Sequence, residues 1–547
     1  MGMMPGKRRM LGEVLLEEGF ITREDLDRAL TAAAREGVQL GRALLEQHLV
    51  SEADLMQAVS RQQGYPVVDL RQERLDPAAL RLLPEAVARQ HQVLPLRLEG
   101  QTLVLAAFDP ARPGLASQLA VVARRPLRFV LAPPTDLALA IEAGYRGVVD
   151  LARHLGTVGE GADSPVARTL DLILEEARKV GASDVHLEPQ ESSLRVRYRV
   201  DGVLRDASPL PPDYAAALAS RVKVLARLDI VEHARPQDGQ FFHLVDDAEV
   251  DVRVSVIGTV WGEKVVLRLL DRSRPLLQLS ELGFSVADAE RYAQVVHRPF
   301  GMVLACGPTG SGKSTTLYAT VNALDRVGKN IVTLEEPVEY TFPGIVQIPV
   351  SPRAGLTFAA GLRAVLRQDP DVILVGEVRD TETAQIAVQA ALTGHLVLSS
   401  VHATDAVGAL VRLVDAGVEA YLVAAAVTGV VSQRLVRRIC PHCRREITLS
   451  DQEQTFYREQ GGREGVTFYR GAGCNLCGRT GYAGRVGIYE LLILDEELRR
   501  AVVAGESVAR VRELAQAAGM TPLRRAALAK VEEGVTTVEE VLRAVYA

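Results

Sequence analysis

The chain has 547 residues, 48% of them apolar, and a formal net charge of −6 at pH 7. It is long enough for about three or four domains with real cores. The small net charge excludes a chain-wide basic attraction to nucleic acid or anionic lipid, so we expect no nucleic-acid partner. Five cysteines do not indicate a disulfide framework in a cytoplasmic chain of this length.

The sequence shows no sign of a transmembrane segment. Its longest apolar run, at residues 421–431, is far shorter than the roughly 20 residues that a membrane helix needs. The basic residues at 7–9 are not followed by the apolar core of a signal peptide. These observations predict a cytoplasmic protein.

The first sixty residues contain a repeat. The segment LGEVLLEEGFIT from Leu11 is echoed by LGRALLEQHLVS from Leu40. Each copy predicts a short helix, a turn and a second helix, because Thr22 and Ser51 are each followed three residues later by an aspartate that can complete a helix cap. Apolar residues at helical spacing follow each cap. We predict a mostly helical docking or regulatory domain at residues 1–150.

The next segments suggest where the domains divide. Residues 156–165, GTVGEGADSP, are small, polar and glycine-rich, which is typical of a flexible linker. We place the linker at 151–165, a second domain at 166–280 and a third at 281–547. The second domain should contain strands, since polar and apolar residues alternate strictly in it.

One predicted strand of the second domain carries three arginines on one face, namely Arg195, Arg197 and Arg199. Side chains alternate along a strand, so these charges lie side by side. A solvated sheet face is one interpretation. An anionic or carboxylate-bearing partner that relieves the repulsion between like charges is the other.

Helices alternate with short apolar strands after residue 282, which predicts a parallel α/β core. The apolar strand at 302–306 leads directly into GPTGSGKST and a helix. This context identifies a phosphate-binding P-loop, in which Lys313 meets the β/γ-phosphates and Ser314 takes Mg²⁺. The predicted nucleotide-binding residues are Gly307, Pro308, Thr309, Gly310, Ser311, Gly312, Lys313, Ser314 and Thr315.

Acidic residues follow two other apolar strands. The strand at 372–375 leads to Gly376 and Glu377, and since glycine offers no side chain, Glu377 becomes the predicted group on the magnesium side. Another strand ends in the sequence EEPVE, which contains Glu335 and Glu339. We predict that carboxylates of this acidic box face the γ-phosphate and prepare the attacking water.

Two histidines bracket a further apolar strand. His395 precedes it and His402 follows it. A structural role is one interpretation, and hydrogen bonding that senses the γ-phosphate is the other.

Four of the five cysteines form two Cys-x-x-Cys pairs, at Cys440, Cys443, Cys474 and Cys477. Four thiolates in this arrangement suit a structural, tetrahedral Zn²⁺ site. A redox pair is the competing interpretation, although a redox motif needs no second pair.

Together these motifs resemble the secretion-superfamily ATPases of type II secretion and type IV pilus assembly. The P-loop, the acidic box, Glu377 and the histidines resemble one half of the family core. Four segments resemble its preceding half: ASDVHLEP at 182–189, RYRVDG at 197–202, PQDG at 236–239 and GEKVVLRLLD at 262–271. The tetracysteine motif resembles the assembly branch of the superfamily.

The resemblance implies an α/β fold with a RecA-like P-loop ATPase core. A preceding α+β, PAS-like domain would occupy 166–280, and the core at 281–547 would include a zinc-binding subdomain at about 436–482 and a helical C-terminal tail. It also implies that Glu377 belongs to the metal side and that Glu339 prepares the water. Arg253, Arg268 and Arg272 are implied candidates for reaching a nucleotide across a domain or subunit boundary.

The implied function is a homo-hexameric motor that uses ATP, Mg²⁺ and Zn²⁺ to add pilin or pseudopilin subunits. It would be peripherally associated with the inner membrane through a platform protein and a cytoplasmic docking protein. The N-terminal repeat resembles a regulatory module that binds cyclic di-GMP in some members, and a helical docking domain is the alternative. A regulatory subunit of the same machine with weak hydrolysis is the alternative for the whole chain.

Overall fold

A computed structural model of the chain describes residues 10–145, 165–207, 209–245, 248–271, 277–351 and 355–546. Two compact units are present. The first contains the described residues up to 180 together with 440–443 and 471–481, and the second contains the rest. The predicted linker at 151–165 lies outside the described residues except for Pro165. None of the helices within these ranges is long and apolar enough to span a membrane.

The repeat forms two helix pairs in the first unit. They are α1 (Leu11–Glu17), α2 (Arg23–Glu36), α3 (Leu40–Glu46) and α4 (Glu52–Gln63). The predicted caps are confirmed, because the hydroxyl oxygens of Thr22 and Ser51 accept hydrogen bonds from the backbone N–H groups of Asp25 and Asp54. These caps satisfy N–H groups that would have no partner within the helix.

Each Leu-Gly pair of the repeat has a packing explanation. A Cβ atom added at Gly12 would lie 2.8 Å from Cδ1 of Leu26, and one added at Gly41 would lie 3.5 Å from Cδ2 of Leu55. The glycines therefore let the first helix of each pair approach the leucine of the second. At Gly12 a larger residue would displace the Leu26 side chain.

A small mixed sheet completes the first unit. Its strands are β1 (Val93–Glu99), β2 (Thr102–Ala107) and β3 (Leu127–Leu131), with β2 antiparallel to β1 and parallel to β3. The accompanying helices are α5 (Pro77–Leu80), α6 (Glu85–His91), α7 (Leu115–Ala123) and α8 (Pro134–Tyr145). Helix α9 (Pro165–Lys179) is the last α-helix of this unit. The central strand β2 is buried from its second residue onward.

The second unit begins with a six-stranded antiparallel sheet in the order β6-β5-β4-β9-β8-β7. Its strands are β4 (Asp184–Pro189), β5 (Leu194–Val200), β6 (Val203–Asp206), β7 (Gln237–Val245), β8 (Ala248–Thr259) and β9 (Gly262–Asp271). Helix α10 (Tyr214–Leu225) lies between β6 and β7 in the chain. This is the expected α+β domain.

The arginine face of this sheet finds its carboxylates within the same chain. Nε of Arg195 donates a hydrogen bond to Asp206 over 2.6 Å, and Nη2 of Arg197 donates to Glu188 over 2.7 Å. Glu188 lies on β4, the strand next to β5. Carboxylates of the sheet itself therefore relieve the repulsion between the neighbouring arginines Arg195 and Arg197.

The second sheet has seven strands in the order β12-β11-β13-β14-β10-β15-β18. The first six are parallel, and β18 is antiparallel to β15. The strands are β10 (Gly301–Cys306), β11 (Ile331–Glu335), β12 (Val346–Pro349), β13 (Val372–Val375), β14 (Leu396–Val401), β15 (Val427–Ile439) and β18 (Tyr482–Ile493). Every residue of β10, β13 and β14 is buried, as expected for a parallel sheet with both faces covered.

Helices cover this sheet and form the C-terminal tail. Before β15 they are α11 (Val286–Val296), α12 (Lys313–Ala323), α13 (Phe358–Val365), α14 (Thr381–Leu392), α15 (Ala406–Asp415) and α16 (Ala420–Ala426). After it come α17 (Asp451–Glu459), α18 (Glu496–Val503), α19 (Val508–Ala517), α20 (Leu523–Glu532) and α21 (Val538–Val541). Strands β16 (Arg444–Ile447) and β17 (Phe468–Gly471) pair as a separate ribbon.

Candidate functional site

The predicted P-loop connects the carboxyl end of β10 to the first residue of α12. Gly307, Gly310 and Gly312 have φ values of 144°, 78° and 91°, which residues with a Cβ atom rarely adopt. A Cβ atom at Gly307 would lie 2.6 Å from the carbonyl oxygen of Gln433. The loop therefore requires glycine both for its conformation and for its close contact with β15.

Strand β15 supports the loop through two polar residues that we did not single out from the sequence. Nε2 of Gln433 donates a hydrogen bond to the carbonyl oxygen of Ser311 over 2.8 Å. Arg434 donates to the carbonyl oxygens of Gln433 and Thr404, each over 3.0 Å, and burial lowers its pKa. The sequence signal that could have identified Gln433 and Arg434 is their position between the long apolar run at 421–431 and the apolar residues 435 and 436.

The side chain of Lys313, the first residue of α12, folds back onto the preceding loop. Its Nζ donates hydrogen bonds to the carbonyl oxygens of Gly307 and Pro308, over 2.8 and 3.1 Å. Burial lowers the pKa of Lys313, and the negative charge of Glu377 acts in the opposite direction. The remaining outward-facing residues of the loop are exposed, namely Pro308, Thr309, Gly310, Ser314 and Thr315. The nine predicted residues thus form the loop and the first turn of α12, and this segment is open towards solvent.

Glu377 lies beyond β13 within a cluster of charges. Its Oε1 is 2.8 Å from Nε2 of His402, and its Oε2 accepts a hydrogen bond from Nε of Arg379 over 2.8 Å. The preceding residue is glycine because a Cβ atom at Gly376 would crowd the carbonyl oxygen of Leu334, at 3.2 Å. The structure therefore explains why the acidic side chain comes one residue after this glycine.

The two predicted glutamates of the acidic box have different surroundings. Glu335 is only 4% exposed, and it accepts hydrogen bonds from the hydroxyl groups of Tyr318 and Thr333 and from the Gln347 amide. The Glu339 side chain is 32% exposed. An exposed carboxylate can exchange protons with water, whereas one held by three donors is better suited to fix the loop.

The structure places the two predicted histidines at opposite ends of β14. His402 follows β14 and contacts Glu377, but His395 precedes β14, and its Nδ1 lies 2.9 Å from the carbonyl oxygen of Ala390. Since β14 runs parallel to β10, a strand of six residues, or about 20 Å, separates His395 from the P-loop edge. His395 is therefore removed from the candidate site.

The three candidate arginines differ in their positions and partners. Nη2 of Arg253, on β8, lies 3.8 Å from Oε2 of Glu339. Arg268 lies directly opposite Arg253 on β9 and donates from Nε to Asp184 over 3.0 Å. Arg272 lies outside the described residues. Arg253 therefore reaches the acidic box within its own chain.

The four cysteines come together in the first unit. Their sulfur atoms all lie within 4.8 Å of one another, and Cys440–Cys474 and Cys443–Cys477 are separated by 3.9 Å. Tetrahedral zinc with Zn–S bonds of about 2.3 Å places sulfur atoms about 3.8 Å apart. The cluster therefore fits Zn²⁺, and the N–H groups of Cys474 and Gly481 donate to the Cys477 sulfur, as a thiolate ligand requires.

The second Cys-x-x-Cys pair also contacts the N-terminal domain. Nδ2 of Asn475, between the two cysteines, donates hydrogen bonds to the carbonyl oxygens of Leu70 and Glu73 over 3.0 and 2.6 Å. Arg479 donates to the same carbonyl oxygen of Glu73 over 3.3 Å. These contacts explain why the cysteine pairs belong to the first unit, whereas the sequence analysis assigned them to the domain at 281–547.

Metal analysis of freshly purified, reduced protein is expected to find about one zinc per chain. Cys443→Ser should lose it, because a neutral hydroxyl group replaces one of four thiolates. The matched control is Cys306→Ala, which should keep the zinc, since Cys306 is buried at the end of β10 and burial raises its pKa to about 12. Zinc-free wild-type protein would support the redox interpretation.

The P-loop, together with the acidic residues that follow two other parallel strands of the same sheet, defines a P-loop ATPase. The model of the family "Type II/IV secretion system protein" matches residues 160–543, and that of the MshEN domain matches 63–149. The chain therefore belongs to the Type II/IV secretion system protein family, and the predicted ATPase is confirmed.

Two relatives and one solved structure illustrate the likeness. The type IV pilus assembly ATPase PilB of Myxococcus xanthus is 39% identical over 97% of this chain and 98% of its own length. Type II secretion system protein E of Dickeya dadantii is 42% identical over 84% of this chain and 96% of its own length. The ATPase DotB of Legionella pneumophila matches 70% of this chain and 96% of its own with a TM-score of 0.52. Its identity of 21% shows the fold alone.

Proposed function

We propose that the chain is a hexameric, cytoplasmic motor that couples ATP hydrolysis to the addition of pilin or pseudopilin subunits. The observation that carries this proposal is the grouping of Lys313, Glu377 and Glu339 beyond the carboxyl ends of three parallel strands of one sheet, with Arg253 of the preceding sheet against Glu339. The relatives named above, an assembly ATPase and a secretion protein, support the choice of cargo. Partners at the inner membrane, a platform protein and a docking protein, belong to the same proposal.

The residues present fit both ATP and Mg²⁺. The exposed hydroxyl group of Ser314 stands at the start of α12, and Glu377 lies close enough to Lys313 to influence its pKa. Ser314 and Glu377 would hold Mg²⁺, which when bound neutralises phosphate charge. The backbone N–H groups of the loop and Lys313 bind the phosphates.

Glu339 would act on the attacking water. Its carboxylate accepts a proton from the water as the oxygen bonds to the γ-phosphorus and the bond to the ADP oxygen breaks. This assignment rests on the exposure of Glu339, in contrast to the buried and fully bonded Glu335. Glu335 would instead anchor the loop.

Arg253 provides a route from hydrolysis to movement. It lies on the six-stranded sheet, whereas Glu339 lies on a loop of the seven-stranded sheet, and their side chains are 3.8 Å apart. A change in charge or position at Glu339 during turnover therefore acts directly on the preceding domain. Such movement of one domain against another is how hydrolysis performs mechanical work.

Arg253→Gln is expected to lower kcat by about 10-fold or more, because it removes the charge that faces Glu339. The matched control is Arg268→Gln, on the neighbouring strand, which loses an equal charge but one paired with Asp184. Steady-state phosphate release by the full-length chain measures both. Equal losses in the two variants would contradict the assignment of Arg253.

The motor function itself is tested in cells and in solution. A strain without this chain should lose surface pili or secreted enzymes, wild-type protein should restore them, and Glu339→Gln should not. The purified protein should form a six-membered ring by mass photometry. Restoration by a variant with no ATP turnover would favour the alternative of a regulatory subunit with weak hydrolysis.

A second candidate function is regulation by cyclic di-GMP at the N-terminal domain. The repeated helix pairs adjoin the match to the MshEN domain. Isothermal titration of the full-length chain with cyclic di-GMP tests this proposal. Lack of binding would leave the helical docking role.

A further inference from the structure

A single buried hydroxyl group connects the P-loop helix to Glu335 and Glu339 of the acidic box. Tyr318 lies on α12, one turn beyond Lys313, and its side chain is almost fully buried. Its hydroxyl group donates a hydrogen bond to Oε2 of Glu335 and accepts one from the backbone N–H of Glu339 over 3.2 Å. The helix that begins at the phosphate-binding lysine is therefore bonded to the loop that carries Glu339.

Gln347, on β12, completes this connection from the other side of the loop. Its Nε2 donates hydrogen bonds to Oε1 of Glu335 over 3.1 Å and to the carbonyl oxygen of Tyr340 over 2.8 Å. Its Oε1 accepts from the backbone N–H of Phe342 over 2.8 Å. The segment on either side of Glu339 is thus held by Tyr318 and Gln347, with Glu335 as their common partner.

The ring of Tyr318 packs independently of its hydroxyl group. It makes edge contacts with Tyr340 and Phe342, with ring centroids 5.9 and 5.1 Å apart. Removal of the hydroxyl group alone therefore leaves this packing in place. Burial raises the pKa of Tyr318 above its ordinary value, and the charge of Glu335 acts in the same direction, so the hydroxyl group keeps the proton that it donates.

We propose that Tyr318 is a positioning residue for ATP hydrolysis, which sets the place of Glu339 relative to the phosphates held by Lys313. Since both contacts of its hydroxyl group are to the acidic box, a displacement of α12 is passed to Glu339 without a flexible link. This inference rests on the proposed role of Glu339 and adds the element that aims it.

The first experiment compares Tyr318→Phe with Tyr292→Phe in the full-length chain. Tyr318→Phe should lower kcat by about 10- to 100-fold, the scale expected for a misplaced reacting group, while KM for ATP stays within about 2-fold. Tyr292, on α11, is a matched control. Its buried hydroxyl group makes a hydrogen bond of 2.7 Å to Thr320, which lies on α12 with Tyr318. Loss of the Tyr292 hydroxyl group should leave kcat within about 2-fold of the wild-type value. Equal losses in both variants would overturn the proposal, because they would show general loosening of α12.

The second experiment combines Tyr318→Phe with Glu339→Gln. If Tyr318 acts through Glu339, the double variant should be no slower than Glu339→Gln alone, measured with radiolabelled ATP. Additive losses would overturn the proposal. Full turnover by Glu339→Gln would instead refute the proposed role of Glu339, whereas a slow Glu339→Gln with an unaffected Tyr318→Phe would refute only the role of Tyr318.

A third variant covers the case in which Tyr318→Phe melts at a much lower temperature than wild type. Gln347→Met removes the amide from the other side of the same network and leaves the tyrosine intact. A lower kcat with unchanged KM would again support positioning of Glu339 through this network. Wild-type kcat in Gln347→Met, together with a destabilised Tyr318→Phe, would show that the network serves folding alone and would overturn the proposal.

Discussion

Lys313→Ala is expected to lower ATP turnover by at least about 100-fold, the loss typical of removing one group that stabilises developing charge. The ammonium group lies against the carbonyl oxygens of Gly307 and Pro308, at the start of the helix that follows the loop. Alanine leaves the loop glycines intact but removes the cation that meets the β/γ-phosphates. Phosphate release and binding of a fluorescent ATP analogue should both fall.

Lys329→Ala is the matched control for this loss. Lys329 precedes β11, so it lies at the edge of the parallel sheet opposite the P-loop, and its removal changes the net charge equally. It should turn over ATP at the wild-type rate. Full turnover in Lys313→Ala would contradict the assignment of the nucleotide site.

The P-loop was predictable because its chemistry is local. The strand expected at 302–306 is found at Gly301–Cys306, and the three glycines with positive φ all lie within the recognised motif. The sequence placed the start of the helix near residue 316, whereas α12 begins at Lys313. The loop ends earlier because Gly312, a residue type favoured at N-caps, is the N-cap residue of the helix.

The position of His395 follows from the direction of β14. A strand has two ends, and in a parallel sheet only the carboxyl ends meet at the nucleotide edge. His402 follows β14 and His395 precedes it, so the sequence order already separates them. Treating both histidines as one pair overlooked the direction of the strand.

Contacts between strands that are distant in the chain could not be predicted from the sequence, because they depend on which strands pair and in which register. Glu188 faces Arg197 only because β4 and β5 pair antiparallel with Glu188 beside Arg195. Likewise, Gln433 reaches the P-loop because β15 lies next to β10, although more than a hundred residues separate them in the chain. Composition and periodicity predicted β5 and β10 as strands, but they do not identify the strands that lie next to them.

Glu377→Gln is expected to keep ATP bound while lowering phosphate release by at least about 100-fold. Glutamine has nearly the same size, so it can still lie between His402 and Arg379, which are both 2.8 Å from the carboxylate. It lacks the negative charge that would hold Mg²⁺ and that balances Arg379 and Lys313. Phosphate binding by the loop and by Lys313 does not need that charge, so affinity and turnover should separate.

The matched control is Glu382→Gln, five residues further on, at an exposed position where Glu382 pairs with Arg363. It loses the same charge at the surface of α14 and should hydrolyse ATP at the wild-type rate. Retention of labelled ATP after gel filtration and the rate of phosphate release measure the two effects separately. Undiminished phosphate release by Glu377→Gln would count against a role of Glu377 on the metal side. Loss of ATP binding would show that Glu377 also shapes the phosphate site, because the loop and Lys313 alone would then not suffice to bind ATP.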